Sequence, residues 1–363
     1  MATYISMAVI SILPAILYSV INQKRVLYDE TVLKQKKKIK TFLIYYLAFC
    51  SFIPLFLVSA FRWDVGTDFK NYLSNYQNVI HGGNTRFEIG YNFFLEFLAL
   101  FQAHPIWVFI LTSLVFNILV FIIIYKYSPI PSLSILILLG SNIYFFSMTG
   151  IRQAIAVAIC FFSIQFIFKK QPIKFIFSVI IATIFHKSAL IALPLYLIVA
   201  RRYTVKQYFV IVAITLVIAL NLEDIVEYLF SLFAPNYLSP FNKSTKFVEM
   251  TKGNVIRFLL MLLTLFYARK LLKLSKNNIF LIHIQPLIFL TYFLIPFQIT
   301  YRMVMYLEIF NIILIPTIIY AEKNNWKRIV LLITMLLYYA YMFISSILND
   351  PHNVLPYKTV FNM

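Results

Sequence analysis

Arg152 stands in Ser147-Met148-Thr149-Gly150-Ile151-Arg152-Gln153-Ala154, with no other charged residue between Lys126 and Lys169. A guanidinium at the hydrocarbon boundary is costly, about 2.5 to 3.5 kcal/mol on insertion scales at mid-span, so by default it faces a cavity or a ligand. Arg62, Arg257 and Arg302 are placed in a similar way, each at one end of an apolar run. One such residue can simply snorkel to head groups. Several around one cavity would instead clamp a diphosphate, because the planar fork matches paired oxygens and can offset a leaving charge without a bound metal.

Two groups on the same side of the apolar runs could move a proton. His186 lies in Ala182-Thr183-Ile184-Phe185-His186-Lys187-Ser188-Ala189, where a lysine and a serine interrupt the apolar pattern. Imidazole titrates near neutrality, which suits a general base. Asp68, in Arg62-Trp63-Asp64-Val65-Gly66-Thr67-Asp68, reads either as the N-cap of a following helix or as a carboxylate at a cavity mouth. Asp64, Glu88, Gln153, Lys187 and Tyr301 are the supporting polar residues beside these candidates. Nucleophilic serine chemistry lacks a G-x-S-x-G elbow. Zinc is unsupported, since His81, His104, His283 and His352 are scattered, and the two cysteines, Cys50 and Cys160, sit inside apolar runs. No metal and no cofactor is implied.

The elements that must hold these groups are membrane spans. Of 363 residues 61% are hydrophobic and 12% charged, and charge-free runs of membrane-spanning length recur, so the chain reads as an all-α polytopic integral membrane protein in one transmembrane domain, 1–363. The net charge of +19 comes in short clusters between apolar spans, which insertion bias explains without nucleic acid. Twelve spans are expected, at about 3–22, 42–61, 106–126, 130–148, 151–169, 172–186, 188–201, 204–221, 255–270, 279–297, 302–321 and 327–347. The first reads as a retained span with its N-terminus outside. Segment 87–103, striped by Glu88, Asn92 and Glu96 at helical spacing, reads as an interfacial or re-entrant helix. The larger outer loop, 222–254, is either an amphipathic lid or a connector. This arrangement places 21 of the 32 lysines and arginines inside and every candidate site residue outside. No internal repeat is visible.

In order along residues 60 to 305 the chain carries Arg62-x-x-x-Gly66-Thr67-Asp68-x-x-x-Tyr72, Glu88-x-Gly90-Tyr91, Thr149-Gly150-Ile151-Arg152-Gln153-Ala154-x-Ala156, Ala182-x-x-Phe185-His186-x-Ser188-Ala189-Leu190 and Tyr301-Arg302. This ordered set resembles the EpsG-like family of Wzy-type polysaccharide repeat-unit polymerases. The resemblance implies a glycosyltransferase of the bacterial inner membrane, working at the outer face on undecaprenyl-diphosphate-linked oligosaccharides among membrane lipids. It would move the growing chain from its lipid diphosphate onto a sugar hydroxyl of a single lipid-linked repeat unit, with a chain-length regulator protein as a further partner. On that scheme Arg152 and Arg302, helped by Arg62 and Arg257, hold the diphosphate, and His186 or Asp68 takes the proton. Two rival readings are a flippase for the same lipid and an outer-face glycan ligase or acyltransferase; a flippase would place charges at mid-membrane and on both faces.

Overall fold

The computed structural model describes residues 1–23, 33–85, 87–198, 252–293 and 304–362, with a few positions between 207 and 228. Arg86, Tyr301, Arg302, most of the expected span 204–221 and almost all of the loop expected at 222–254 lie outside them. The helices are α1 (Ala2–Gln23), α2 (Leu33–Ala60), α3 (Phe69–Ile80), α4 (Ile89–Leu100), α5 (Ile106–Tyr127), α6 (Pro131–Gly140) and α7 (Ile143–Thr149). They continue with α8 (Ile151–Phe168), α9 (Pro172–Phe185), a 3-10 segment (Lys187–Ala192), α10 (Leu195–Ile198), α11 (Lys252–Leu274), α12 (Asn278–Phe293), α13 (Val304–Ala321) and α14 (Asn325–Asn349). A single isolated antiparallel bridge, Arg62 with Thr359, is the one β feature among the described residues.

Six of these helices are long and apolar enough to cross a membrane: α1, the 41–60 part of α2, α5, α8, α13 and α14. The bent pair α6 and α7 makes a seventh if it counts as one span. Among the described residues the other expected spans correspond to helices that are shorter or more charged: α9, α11, α12, and residues 187–198, which wind into a 3-10 segment followed by one short turn. Span α13 is 94% buried and forms the axis of the bundle, whereas α14 is 17% buried. The outer face of α14 bears Trp326, Leu337, Tyr341 and Leu348, and α9 similarly exposes Ile173, Phe177, Ile180 and Ile184. Apolar faces of that extent would be untenable against water and are ordinary against lipid tails.

Two local features shape the functional region. Between α6 and α7 the chain breaks at Ser141-Asn142 and bends by 53°, with Asn142 in the left-handed region at φ +67°, which asparagine tolerates better than most residues. The short helices α3 and α4 pack on the ends of α5 and α8 through a separate core of Phe69, Tyr72, Tyr91, Leu95, Phe109 and Ile151, with the Phe69 and Phe109 rings stacked at 4.3 Å. Segment 87–103 is therefore a 12-residue helix over the bundle end, with Phe93, Phe97 and Leu100 turned outward and Tyr91, Leu95 and Leu98 inward.

The C-terminal residues strap this end together. Trp63 N donates to Lys358 O at 3.0 Å, Gly66 N to Asn353 O at 2.9 Å and Thr67 N to His352 O at 3.1 Å. Tyr4 donates from α1 to Val354 O at 3.0 Å, and the Asp350 carboxylate accepts from Val354 N and Leu355 N at 2.6 and 3.0 Å. Gly66, at φ +102°, lets the turn press on α7: a Cβ there would stand 2.7 Å from Met148 O.

Candidate functional site

Arg152 occupies the first turn of α8, directly after the Gly150 break, and its guanidinium forms an ion pair with the Glu88 carboxylate at the N-terminus of α4. The same guanidinium lies over the Phe87 ring at 4.2 Å from its centroid, and its charge acts on the hydroxyl of Tyr72 on α3. Three elements distant in sequence therefore meet on one cation. The pair is partly open, with 21% of the Arg152 and 14% of the Glu88 side chain exposed, so donors remain accessible to an anion.

His186 ends α9 in extended conformation and begins the 3-10 segment. Its Nδ1 is 2.6 Å from Ser188 Oγ, and Ser188 donates to Tyr306 Oη on α13 at 3.1 Å. With the single serine hydrogen given to Tyr306, the serine oxygen accepts from Nδ1–H and the ring lone pair sits on Nε2. The Glu88 charge also acts, weakly, on the Tyr306 hydroxyl. Contact between α4 and α9 is equally tight: a Cβ on Gly90 would stand 2.4 Å from Ile184 Cγ2. Arg152, Glu88, Tyr72, Tyr306, Ser188 and His186 thus form one polar centre in an aromatic surround.

The other candidates are placed differently. Arg62 is completely buried; it donates to Ser59 O, to Ser113 Oγ at 3.3 Å and to Met148 O at 3.1 Å, with Phe109 beneath it at 4.9 Å. It ties α2, α5 and α7 together. Arg257, on α11, pairs with Glu308 on α13 at 2.9 Å and borders a cavity that includes none of Arg152, Glu88, His186 or Ser188 among its lining residues. Asp68 occupies the N-cap position of α3, half-buried and without a capping hydrogen bond from its side chain, and its charge reaches Tyr72. Asp64, at φ +52°, pairs loosely with Lys70 and Lys358 at 3.6 and 3.9 Å. Gln153 is buried in α8 and Lys187 is exposed beside His186.

At the opposite end of the bundle Lys126 donates to Gln165 Oε1 at 2.9 Å and Tyr127 packs on Phe168, which packs on Phe280. Glu322 there accepts from Lys270 Nζ and Tyr267 Oη, each at 2.6 Å, and from Asn324 N at 2.9 Å; chiefly through Lys270, these bonds hold its carboxyl at about 2. Lys126, Lys169, Lys270 and Lys276 gather at the ends of helices remote from Arg152.

A family model described as the EpsG family matches residues 45–359. The chain belongs to the EpsG family. That family is associated with polysaccharide polymerase-like function. Neither a curated protein nor a solved structure matches the chain. The EpsG match begins within α2 and runs into the C-terminal strap, so it takes in every residue of the polar centre. Sequence reasoning missed Tyr306, Glu308 and the strap of this EpsG chain. Glu308 could have been found, because an unexplained carboxylate inside the apolar run 304–321 is as costly as Arg152.

Proposed function

We propose that this chain joins polyprenyl-diphosphate-linked oligosaccharide repeat units into polysaccharide at the outer face of the bacterial inner membrane. The observation that carries the reading is the convergence of a partly open guanidinium, Arg152, with the His186–Ser188–Tyr306 chain at the end of the bundle away from the lysine clusters. Positive-inside bias turns that end outward.

The reaction breaks the bond between the donor's terminal sugar carbon and its diphosphate, and forms a bond from that carbon to an acceptor hydroxyl oxygen. His186 Nε2 takes the hydroxyl proton as the new bond forms. The departing diphosphate gains charge, and Arg152 meets it with a bidentate fork preorganised by Glu88 and Phe87. Asp68, with its charge near Tyr72, is the second candidate base. Arg62, wholly enclosed, positions Met148 and so the turn ahead of Arg152. Arg302 and Tyr301 are proposed from sequence alone to add to the diphosphate clamp.

Purified protein supplied with one species of lipid-linked repeat unit tests the reading. A ladder of products differing by one repeat supports it. Transfer to a different acceptor class would make the chain a ligase, and movement of intact lipid without any covalent product would make it a flippase.

A further inference from the structure

The break between α6 and α7 opens on a chamber that the polar centre does not line. Its volume is about 540 Å³ and it lies between α11, α13 and α14. Its walls are mostly apolar, among them Leu260, Leu263, Met305 and Met335, and along α14 they run from Leu331 to Ser346, roughly 22 Å at the helical rise per residue. Set into this apolar slot are the Arg257–Glu308 ion pair, Asn311 and Asn142, whose Oδ1 is buried without a hydrogen-bond partner. Interrupted helices are tolerated at membrane depth where the exposed backbone and polar side chains line a binding cavity. A long apolar slot with an ion-paired guanidinium and one unsatisfied amide oxygen in its wall fits an amphiphile, a linear hydrocarbon chain carrying an anionic, hydroxyl-rich head.

The chamber and the polar centre are related through α13. Tyr306 faces Ser188 and Glu308 faces Arg257, and residues two apart on a helix project about 200° apart, to opposite sides of a cylinder roughly 10 Å wide. Joining two lipid-linked glycans requires such a separation. The donor's diphosphate is at the reacting carbon, whereas the acceptor's reacting hydroxyl lies a whole repeat unit away from its own lipid diphosphate. The acceptor lipid therefore needs a seat of its own, near the polar centre and apart from it.

We propose that the chamber at the α6–α7 break seats the isoprenoid chain and diphosphate of the acceptor substrate, with Arg257 exchanging Glu308 for the diphosphate, while the Arg152 centre holds the donor. This rests on the polymerase reading and adds where each of its two lipids sits. Glu308 neutralises Arg257 in the empty chamber, since an uncompensated guanidinium there would be costly.

Native mass spectrometry with sugar-free polyprenyl diphosphate tests it on the purified protein. Wild type should take up two molecules of the probe, and Arg257→Ala and Arg152→Ala one each. Leu260→Trp, which fills the slot and keeps the ion pair, should also bind one, which covers the case that Arg257→Ala does not fold. Glu308→Gln removes the carboxylate that competes with the diphosphate, so it should tighten the second site several-fold, where a purely structural ion pair predicts no gain. Uptake of a single probe by wild type, two by both Arg257→Ala and Leu260→Trp, or equal displacement by phosphatidylglycerol would overturn the proposal. The binding count needs no turnover: two probes bound without any product ladder would condemn the polymerase reading alone, and normal ladders from a one-probe Leu260→Trp variant would condemn the acceptor seat alone.

Discussion

The Arg152 guanidinium on α8 is held by the Glu88 carboxylate at the N-terminus of α4 and lies across the Phe87 ring at 4.2 Å, so a charge set in a long apolar run is anchored at a helix that is itself too short to span a membrane. Replacing Arg152 with alanine removes the proposed stabiliser of the leaving diphosphate, an effect worth about 3 to 4 kcal/mol where such a donor is lost. Long-chain polymer in cells should vanish while single-repeat glycan and protein level persist. Arg152→Lys should recover only part of the activity, because a point charge lacks the fork. Normal chain lengths in Arg152→Ala would remove this residue from the reaction.

His186 and Tyr306 are linked through Ser188. His186→Ala should lower turnover roughly 10²- to 10⁴-fold, the range of general-base loss, with little change in lipid-diphosphate binding. Tyr306→Phe, which removes only the acceptor at the end of the chain, should cost less. Unchanged turnover in His186→Ala would transfer the base role to Asp68.

Gly66 and Gly90 mark close approaches that support the centre. At Gly66 a new Cβ meets Met148 O at 2.7 Å in a left-handed conformation, and at Gly90 it meets Ile184 at 2.4 Å. Either alanine substitution should destabilise the protein by about 1 to 3 kcal/mol through strain and overpacking, Gly66 more, because its neighbour is backbone. Thermal unfolding in detergent measures this, and an unshifted midpoint for Gly66→Ala would contradict the packing of the turn on α7.

The strap responds to pH at its own end of the molecule. Burial pushes the His352 imidazole below its ordinary 6.5, against a smaller opposing pull from Asp350. The unfolded segment takes up a proton first as pH falls below that value, so strap stability is full above 6.5 and declines on acidification. At the other end Glu322, held at about 2, keeps its contribution above its ordinary 4.5 and loses it only as pH falls toward 2. Hydrogen exchange should therefore show residues 350–360 loosening between pH 6.5 and 4.5 while the amides around Glu322 stay protected, and His352→Gln should abolish the first effect. Simultaneous opening of both ends would contradict it.

What the sequence revealed follows physical cost. Arg152, Glu88 and His186 were legible because a charge or imidazole in an apolar run demands a reason; the structure pairs Arg152 with Glu88 and bonds His186 to Ser188. Tyr306 was hidden among 25 tyrosines, since an amphipathic ring carries no penalty that singles it out. The strap was invisible because backbone hydrogen bonds between residues 61–67 and 352–360 leave no periodic signature. The helical, membrane-spanning class was plain from composition, yet the number of crossings was harder. The run 172–198 folds into short helices broken at His186, as its polar residues indicate, and hydropathy cannot distinguish a span from a buried helix of the same composition.

The central proposal, that the Arg152–His186 centre opens to the exterior face and binds lipid diphosphate, is tested most directly by thiol labelling. Lys187, exposed beside His186, would be replaced by cysteine in a chain with Cys50 and Cys160 changed to serine. A membrane-impermeant maleimide added to spheroplasts should label Lys187→Cys from outside, and sugar-free polyprenyl diphosphate should slow that labelling in wild-type background but not beside Arg152→Ala. Labelling confined to inverted vesicles, or a rate indifferent to the lipid diphosphate, would contradict the account.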